Sequence, residues 1–404
     1  MKNITLLGST GSIGVSTLDV VGRRQEQFRV FALVAGNNTG LLAEQIARFR
    51  PRMACVATEE GCLNLTRSLA AMGLARGEWP EILVGPAGRV ACSVQPEADF
   101  VMSAIVGVAG LEATWEAIRH GKSVGLATKE VLVASGNLVM DAVRQGGTAL
   151  IPVDSEHNGA HQCFRAGRRE EVARLILTAS GGPFRETPIE RLESVTPAQA
   201  LNHPTWRMGQ RITIDSATMM NKGFEVIEAC WLFGLSSRQV DVVVHPQSSI
   251  HAMVEYVDGS VIAQVSATDM RMPIQYALTW PQRDSAPVPR LDWTEARSWT
   301  FSPPDLRKFP LLGLAYAAQE TGGSATCTLN AADEIAVGAF LREQISYPDI
   351  ARVVQQTLEK VPVRTPRNIG EVLEIDEESR AAARQAIAGM AGNATAEYSK
   401  AGMA

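Results

Sequence analysis

The chain has 404 residues, 46% of them hydrophobic, which is too long for one core and rich enough for two or three. A net charge of −5 and a pI near 5.8 exclude general nucleic-acid binding through a basic surface, so an anionic ligand must be held by local groups. Six scattered cysteines, with no C-x-x-C and no companion histidine spacing, exclude a zinc ribbon and a disulfide framework. No apolar run reaches membrane-spanning length, and the start, MKNITLLG, lacks a charged leader before a long apolar region. A cytoplasmic protein without nucleic-acid or membrane partners is expected.

Over residues 1–150 short apolar runs alternate with helical patterns. Strands are predicted at Ile4–Leu7, Val30–Ala35, Met53–Ala57, Phe100–Ala104, Ser123–Ala127 and Thr148–Val153. Helices are predicted at Ser16–Arg24, Leu41–Arg50, Leu111–His120 and Val131–Gln145. Such alternation predicts an α/β fold, a Rossmann-like doubly wound parallel sheet with helices on both faces. At its first strand-to-helix turn stands GSTGSIG, Gly8–Gly14, whose glycines let the backbone approach a pyrophosphate at a helix N-terminus. A dinucleotide site follows. The second strand ends Ala35-Gly36-Asn37-Asn38 without the acid that grips the ribose of NAD, which favours NADP.

Residues 151–280 change texture, with strand-like segments at Leu175–Thr178, Arg211–Ile214, Val240–Val244 and Ser260–Val265 and a strong helix over Asn221–Phe233. This reads as a central α/β catalytic domain with chemistry on its loops. It opens on PVDSEHN, where Asp154 and Glu156 flank a serine. If strand geometry persists, residues two apart face one way, and two anions so close call for a cation. Glu225, or Glu228 three residues on, supplies a third carboxylate, and oxygen-only ligation suits Mg²⁺ or Mn²⁺. The competing reading makes Asp154 a helix N-cap and Glu156 a solvated first-turn acid.

TASGGPF and DSATMMNKG bring Ser180, Ser216, Asn221 and Lys222 to strand ends and a helix start, the ingredients of a phosphate pocket. HPTWRMG, His203–Gly209, reads as a lid that excludes water. His245 and His251, in HPQSSIH, fit core or supporting roles as well as catalytic ones. Six prolines over 281–310 mark an extended linker. Helical patterns at Leu311–Thr321, Asn330–Gln344, Asp349–Lys360 and Glu377–Met390 predict a C-terminal helical bundle over 311–392, before a disordered tail, 393–404.

The ordered set GSTGSIG, TKE, PVDSEHN, TASGGPFRETP, HPTWRMG, DSATMMNKGFEVIEA, HPQSSIH and LNAADEIAV resembles the 1-deoxy-D-xylulose 5-phosphate reductoisomerase family over about residues 1–390. The resemblance implies NADPH-dependent conversion of 1-deoxy-D-xylulose 5-phosphate to 2-C-methyl-D-erythritol 4-phosphate in the non-mevalonate isoprenoid route. It also implies a homodimer using Mg²⁺, Mn²⁺ or Co²⁺, and a rearrangement by retro-aldol cleavage or by a 1,2-shift. Carried over by motif, Asp154, Glu156 and Glu225 are the metal ligands, which selects Glu225 over Glu228. Lys129, Ser155 and Glu156 meet substrate oxygens. Ser180, Ser216, Asn221 and Lys222 take the phosphate with His203, Trp206 and Met208 belong to the lid, and His251 stands near the active site. Thr10, Gly11, Ser12, Ile13, Gly36, Asn37, Asn38, Thr128, Glu130 and Gly209 line the NADPH site.

Three positions depart from the family pattern. Thr128 replaces the asparagine of its Asn-Lys-Glu, Asn37 stands where some members carry lysine, and Asn202 replaces an arginine some have before the lid histidine. The last two remove positive charge near the 2′-phosphate. Two rivals make different predictions: a metal-assisted NADP-dependent dehydrogenase of a phosphorylated hydroxy acid forms no branched product, and a silent NADPH sensor binds without turnover.

Overall fold

The computed structural model describes the backbone of residues 1–206 and 208–401, and side chains to residue 390. Strands β1 (Lys2–Leu7), β2 (Phe28–Val34), β3 (Met53–Val56), β4 (Glu81–Val84), β5 (Phe100–Ser103), β6 (Ser123–Leu126) and β7 (Leu150–Pro152) form a parallel sheet in the order β4-β3-β2-β1-β5-β6-β7. Helices α1 (Ser12–Gly22), α2 (Thr39–Phe49), α3 (Glu59–Ala71), α4 (Gly85–Ser93), α5 (Leu111–Arg119) and α6 (Glu130–Gly146) connect them, and α7 (Ser155–Cys163) follows β7. Every residue of β3 and β5 is buried, as a sheet covered on both faces requires. Strand order reverses between β1 and β5, so the crevice above their C-terminal ends is where an open α/β sheet takes its ligand.

A second sheet holds β8 (Val172–Ala179), β9 (Val240–Val244), β10 (Ile250–Tyr256) and β11 (Val261–Val265) in the order β11-β10-β8-β9. β8 runs parallel to β9 and antiparallel to β10. The remaining helices are α8 (Pro197–Ala200), α9 (Gln210–Thr218), α10 (Met220–Phe233), α11 (Arg271–Thr279), α12 (Pro310–Thr321), α13 (Ala325–Leu341), α14 (Tyr347–Lys360) and α15 (Ile369–Ala401).

The chain divides into two compact units. The first is Met1–Val131, Asn137–Arg168 and Ala263–Ala296, and the second is Leu132–Gly136, Arg169–Ile262 and Arg297–Ala404. This division crosses the segments drawn from sequence at 150, 280 and 310, because cores ignore sequence order. In the first unit Ile4, Leu33 and Phe100 of the sheet pack with Leu18 and Val21 of α1 and with Ile274 and Leu278 of α11. In the second, Phe184, Ile214 and Phe224 share a core with Leu329, Phe340 and Val353 of the C-terminal helices. Those helices complete the core of the central segment.

Two expectations need correction. Arg211–Ile214, predicted as a strand, lies in the first turns of α9: Gly209 precedes the helix in an extended conformation, and the pairs Thr213/Ala217 and Ile214/Thr218 are buried at helical spacing. Helix α15 continues to Ala401 through most of the predicted tail, because its ATAEYSKA stretch contains no proline and ample helix formers; residues 402–404 lie outside the described residues. Strands β4 and β10 and helix α11 have no counterpart among the elements predicted from sequence.

Candidate active site

In the first unit the glycine loop closes on the strand-order reversal. Gly8 has φ +86°, and a Cβ there would stand 2.3 Å from the Ala104 carbonyl beyond β5, so only glycine lets β1 turn here. Gly11 is the N-cap of α1 and contributes no side-chain cap, leaving the first-turn N–H groups to face outward past exposed Gly11 and Ser12. Thr10 and Ile13 flank them, half-buried. Beyond β2, exposed Gly36 has no neighbour within 4 Å of a built Cβ, and Asn37 is exposed. Asn38 acts locally, its Oδ1 accepting from Leu41 N–H at 3.2 Å as the N-cap of α2.

Thr128 and Glu130 brace the opposite side of the same crevice. The Thr128 hydroxyl donates to the Ile105 carbonyl at 2.9 Å, and Gly107 N–H donates to Glu130 Oε1 at 3.2 Å. Both side chains therefore hold the loop after β5. Between them in sequence, Lys129 is buried and its Nζ lies 2.9 Å from Asp154 Oδ2.

Strand geometry does not persist through PVDSEHN. β7 stops at Pro152, and Asp154 caps α7 by accepting from Glu156 N–H at 3.2 Å. The helix-cap reading gives the backbone correctly, but Glu156 is no idle surface acid: the Ser155 hydroxyl donates to its Oε2 at 2.7 Å. His157 Nδ1 is 3.6 Å from Asp154 Oδ1. Two carboxylates at the head of one helix, one matched by an ammonium, form an oxygen-only donor set.

The second unit holds an anion-type cluster. His203 Nε2 lies 3.1 Å from both Ser180 Oγ and Ser216 Oγ. Its Nδ1 accepts from Thr205 N–H at 3.1 Å and Trp206 N–H at 2.9 Å, which places the ring proton on Nε2. Burial, with the Arg185 guanidinium nearby, pushes the His203 pKa down and keeps the ring neutral. Gly182, φ +66°, lets the loop after β8 close on α9, since a Cβ there would stand 2.7 Å from the Ser216 carbonyl. Ser216 itself sits on helix α9, not after a strand as the sequence suggested.

Asn221 and Lys222, read as phosphate donors, both turn to Glu225. Asn221 Nδ2 donates to Glu225 Oε1 at 2.6 Å, and Lys222 Nζ pairs with Oε2. All three ride on α10, where Lys222, Glu225 and Glu228 are buried. Trp206 and Met208 flank Arg207, which lies outside the described residues, and Gly209 is the N-cap of α9. His251 is buried in β10, and its carbonyl accepts from the Thr178 hydroxyl at 2.9 Å. His245 is structural: Nδ1 meets the Thr300 carbonyl and the ring stacks on Phe301.

Sequence reading missed Arg185 and a buried charge network around Arg211. The paired acids of LNAADEIAV, Asp333 and Glu334 in an otherwise apolar helix, were the available signal.

Three family models match in chain order: "1-deoxy-D-xylulose 5-phosphate reductoisomerase" over residues 4–136, its C-terminal domain over 150–233, and "DXP reductoisomerase C-terminal domain" over 265–382. A 1-deoxy-D-xylulose 5-phosphate reductoisomerase of Solibacter usitatus is 65% identical, covering 95% of this chain and 97% of its own. One from Chlorobaculum tepidum is 49% identical over 96% and 100%. Among solved structures, the Zymomonas mobilis reductoisomerase in complex with NADPH superposes with a TM-score of 0.89 at 44% identity, covering 96% and 99% of the two chains. A DOX-P reductoisomerase in complex with NADPH, fosmidomycin and magnesium gives 0.89 at 38% identity, covering 96% and 98%.

Proposed function

The chain belongs to the 1-deoxy-D-xylulose 5-phosphate reductoisomerase family, and from that premise we propose that it converts 1-deoxy-D-xylulose 5-phosphate into 2-C-methyl-D-erythritol 4-phosphate with NADPH and a divalent cation. The observation that carries the reading is identity of 65% spread over nearly the whole chain. When bound, the cation supplies Lewis-acid polarisation of substrate oxygens and NADPH supplies the hydride.

The residues fit both groups. The uncapped start of α1 and the glycine turn beneath it suit a pyrophosphate, with Thr10, Gly11, Ser12, Ile13, Gly36, Asn37, Asn38 and Gly209 assigned to the nucleotide. Thr128 and Glu130 act by holding the facing loop. Asp154, Glu156 and Glu225 offer only oxygen donors, which suits Mg²⁺, Mn²⁺ or Co²⁺. Lys129 and Ser155 fix two of these carboxylates, and Asn221 and Lys222 fix the third.

The phosphate falls to Ser180, His203 and Ser216. A neutral imidazole with its proton on Nε2 donates there without needing protonation, and the two hydroxyls add donors. We assign Lys222 and Asn221 to the phosphate as well, the ammonium as a positive charge and the amide as a donor. Trp206 and Met208 cover the substrate, and His251 supports the site from β10. We also read the chain as a cytoplasmic homodimer; among the described residues no helix is long and apolar enough to cross a membrane. Light scattering checks the dimer.

The test is loss of reduced-nicotinamide absorbance with 1-deoxy-D-xylulose 5-phosphate, run with Mg²⁺ and then with chelator, with product analysis. Metal-dependent oxidation giving the branched polyol phosphate is expected. Oxidation without a branched product identifies a dehydrogenase. NADPH binding without turnover identifies a sensor.

A further inference from the structure

The glycine loop after β1 is held by more than its own turn. Gly8 N–H and Ser9 N–H both donate to the Val34 carbonyl at the end of β2, at 2.9 Å each. The Ser9 carbonyl in turn accepts from Gln45 Nε2 of α2 at 2.9 Å. The first turn of α1 packs on the same peptide, since a Cβ at Gly14 would stand 2.4 Å from that carbonyl oxygen. Packing does not explain why residue 45 is a glutamine. Its companions on the buried face of α2 are Leu42, Ala43 and Ile46, and it is itself 6% exposed. A methionine or leucine would fill the position with no polar atom to satisfy, yet Gln45 Oε1 is buried without a partner among the described residues. Burying an unmet acceptor costs stability, so the amide is not there for the core. Its orientation is fixed by chemistry: a carbonyl oxygen only accepts, so only the N–H end can face Ser9.

We propose that Gln45 is a positioning residue for the pyrophosphate loop: by gripping the Ser9 carbonyl from α2, it fixes the turn that aims the first N–H groups of α1 at the dinucleotide. The inference deepens, and rests on, the assignment of Thr10, Gly11, Ser12 and Ile13 to NADPH. Thr10 and Gly11 follow the gripped peptide directly, and Gly11 is the N-cap of α1. When the donor is removed, the buried Ser9 carbonyl loses its hydrogen bond, and a rotation of that peptide toward another donor carries Thr10, Gly11 and the helix start away from the phosphates. Helix α2 also begins just after Gly36 and Asn37, with Asn38 as its N-cap. Gln45 therefore ties the pyrophosphate turn to the element at the 2′-phosphate end, which fixes the spacing between two anionic groups of one ligand.

The test is nucleotide affinity of the full chain in wild type, Q45M and S9A, with NADPH and adenosine 2′-monophosphate as probes. Q45M keeps the length of the side chain and a good helix former while removing the donor. S9A leaves the carbonyl in place and removes only a buried hydroxyl that has no partner among the described residues. Q45M is expected to bind NADPH about tenfold more weakly, the size of one lost hydrogen bond to a charged ligand. Its affinity for adenosine 2′-monophosphate, which carries no pyrophosphate, is expected to match the wild type, and S9A to match it for both probes. Equal weakening of both probes in Q45M would make Gln45 a packing residue of α2 and overturn the inference. An unchanged NADPH affinity in Q45M, or a loss as large in S9A, overturns it as well. Q45L is measured in the same way if Q45M does not fold. A wild-type chain that binds no NADPH removes the nucleotide reading and this inference with it. If the variants behave as expected but 1-deoxy-D-xylulose 5-phosphate is not turned over, the functional reading falls and the role of Gln45 stands. Turnover with NADPH affinity unchanged in Q45M has the opposite meaning.

Discussion

Because Lys222 Nζ pairs with the buried Glu225 carboxylate, replacing it removes two functions together. A proposed phosphate contact is lost, and a proposed metal ligand loses its buried ammonium partner. K222A is therefore expected to raise both the KM for the phosphorylated substrate and the Mg²⁺ concentration needed for half-maximal rate, each by about tenfold or more. S216A touches only the anion cluster and should raise KM about fivefold with an unchanged metal requirement. Metal titrations of both variants at saturating substrate separate the cases; an unaltered metal requirement in K222A would remove Glu225 from the ligand set. At the proposed nucleotide site, exposed Asn37 brings no positive charge toward a 2′-phosphate. N37K should lower the KM for NADPH about threefold to fivefold, the worth of a solvent-exposed ion pair, and leave NADH unaffected. Equal shifts for both nucleotides would place residue 37 away from the 2′-phosphate. Sequence singled out these residues without disclosing their backbone. Asp-x-Glu announced paired oxygen donors, yet the same letters begin a helix, because aspartate is both a good ligand and a good N-cap.

Helix α9 is the element that sequence misjudged most, and its burial explains why. Arg-Ile-Thr-Ile alternates like a strand, whereas the fold uses Arg211, near Asp215 one helical turn on, to meet Glu334 of α13. No local pattern announces a partner more than a hundred residues away. The raised Asp333 pKa has a definite sign for stability. Burial raises it, so the native state retains a proton that the unfolded chain releases above the ordinary value of 3.8, and the stability contributed by neutral Asp333 is complete below that value and is lost as pH rises toward the raised one. D333N should thus gain on the wild type in Tm as pH increases from about 4 to 8, reaching a few degrees. A Tm difference independent of pH would mean that Asp333 does not titrate in the native state. The strands of the first sheet other than β4 were legible for the opposite reason: unbroken apolar runs such as Phe100–Ser103 are buried on both faces and need no distant partner to be recognised.

At the scale of the whole molecule, alternation and the proline-rich stretch 281–310 revealed the kind of architecture but not which segments share a core. Residues 281–296 group with the first unit, where Arg24 pairs with Asp284 at 2.6 Å, because side-chain contacts across 260 positions leave no trace in local composition. A fragment ending at residue 150 lacks α11, leaving Leu18 and Val21 of α1 without Ile274 and Leu278. It should be poorly soluble and bind NADPH weakly or not at all, whereas a cooperatively melting, NADPH-binding fragment would show that α11 is dispensable. The same interleaving bears on how the protein is made. A ribosome emits α1 early and α11 roughly 250 residues later, a delay of about ten to fifty seconds at ordinary elongation rates. Throughout that interval the nascent nucleotide sheet carries an uncovered apolar face, so vectorial synthesis gives the amino-terminal half no head start, and a chaperone that shields such faces during translation has its natural client here.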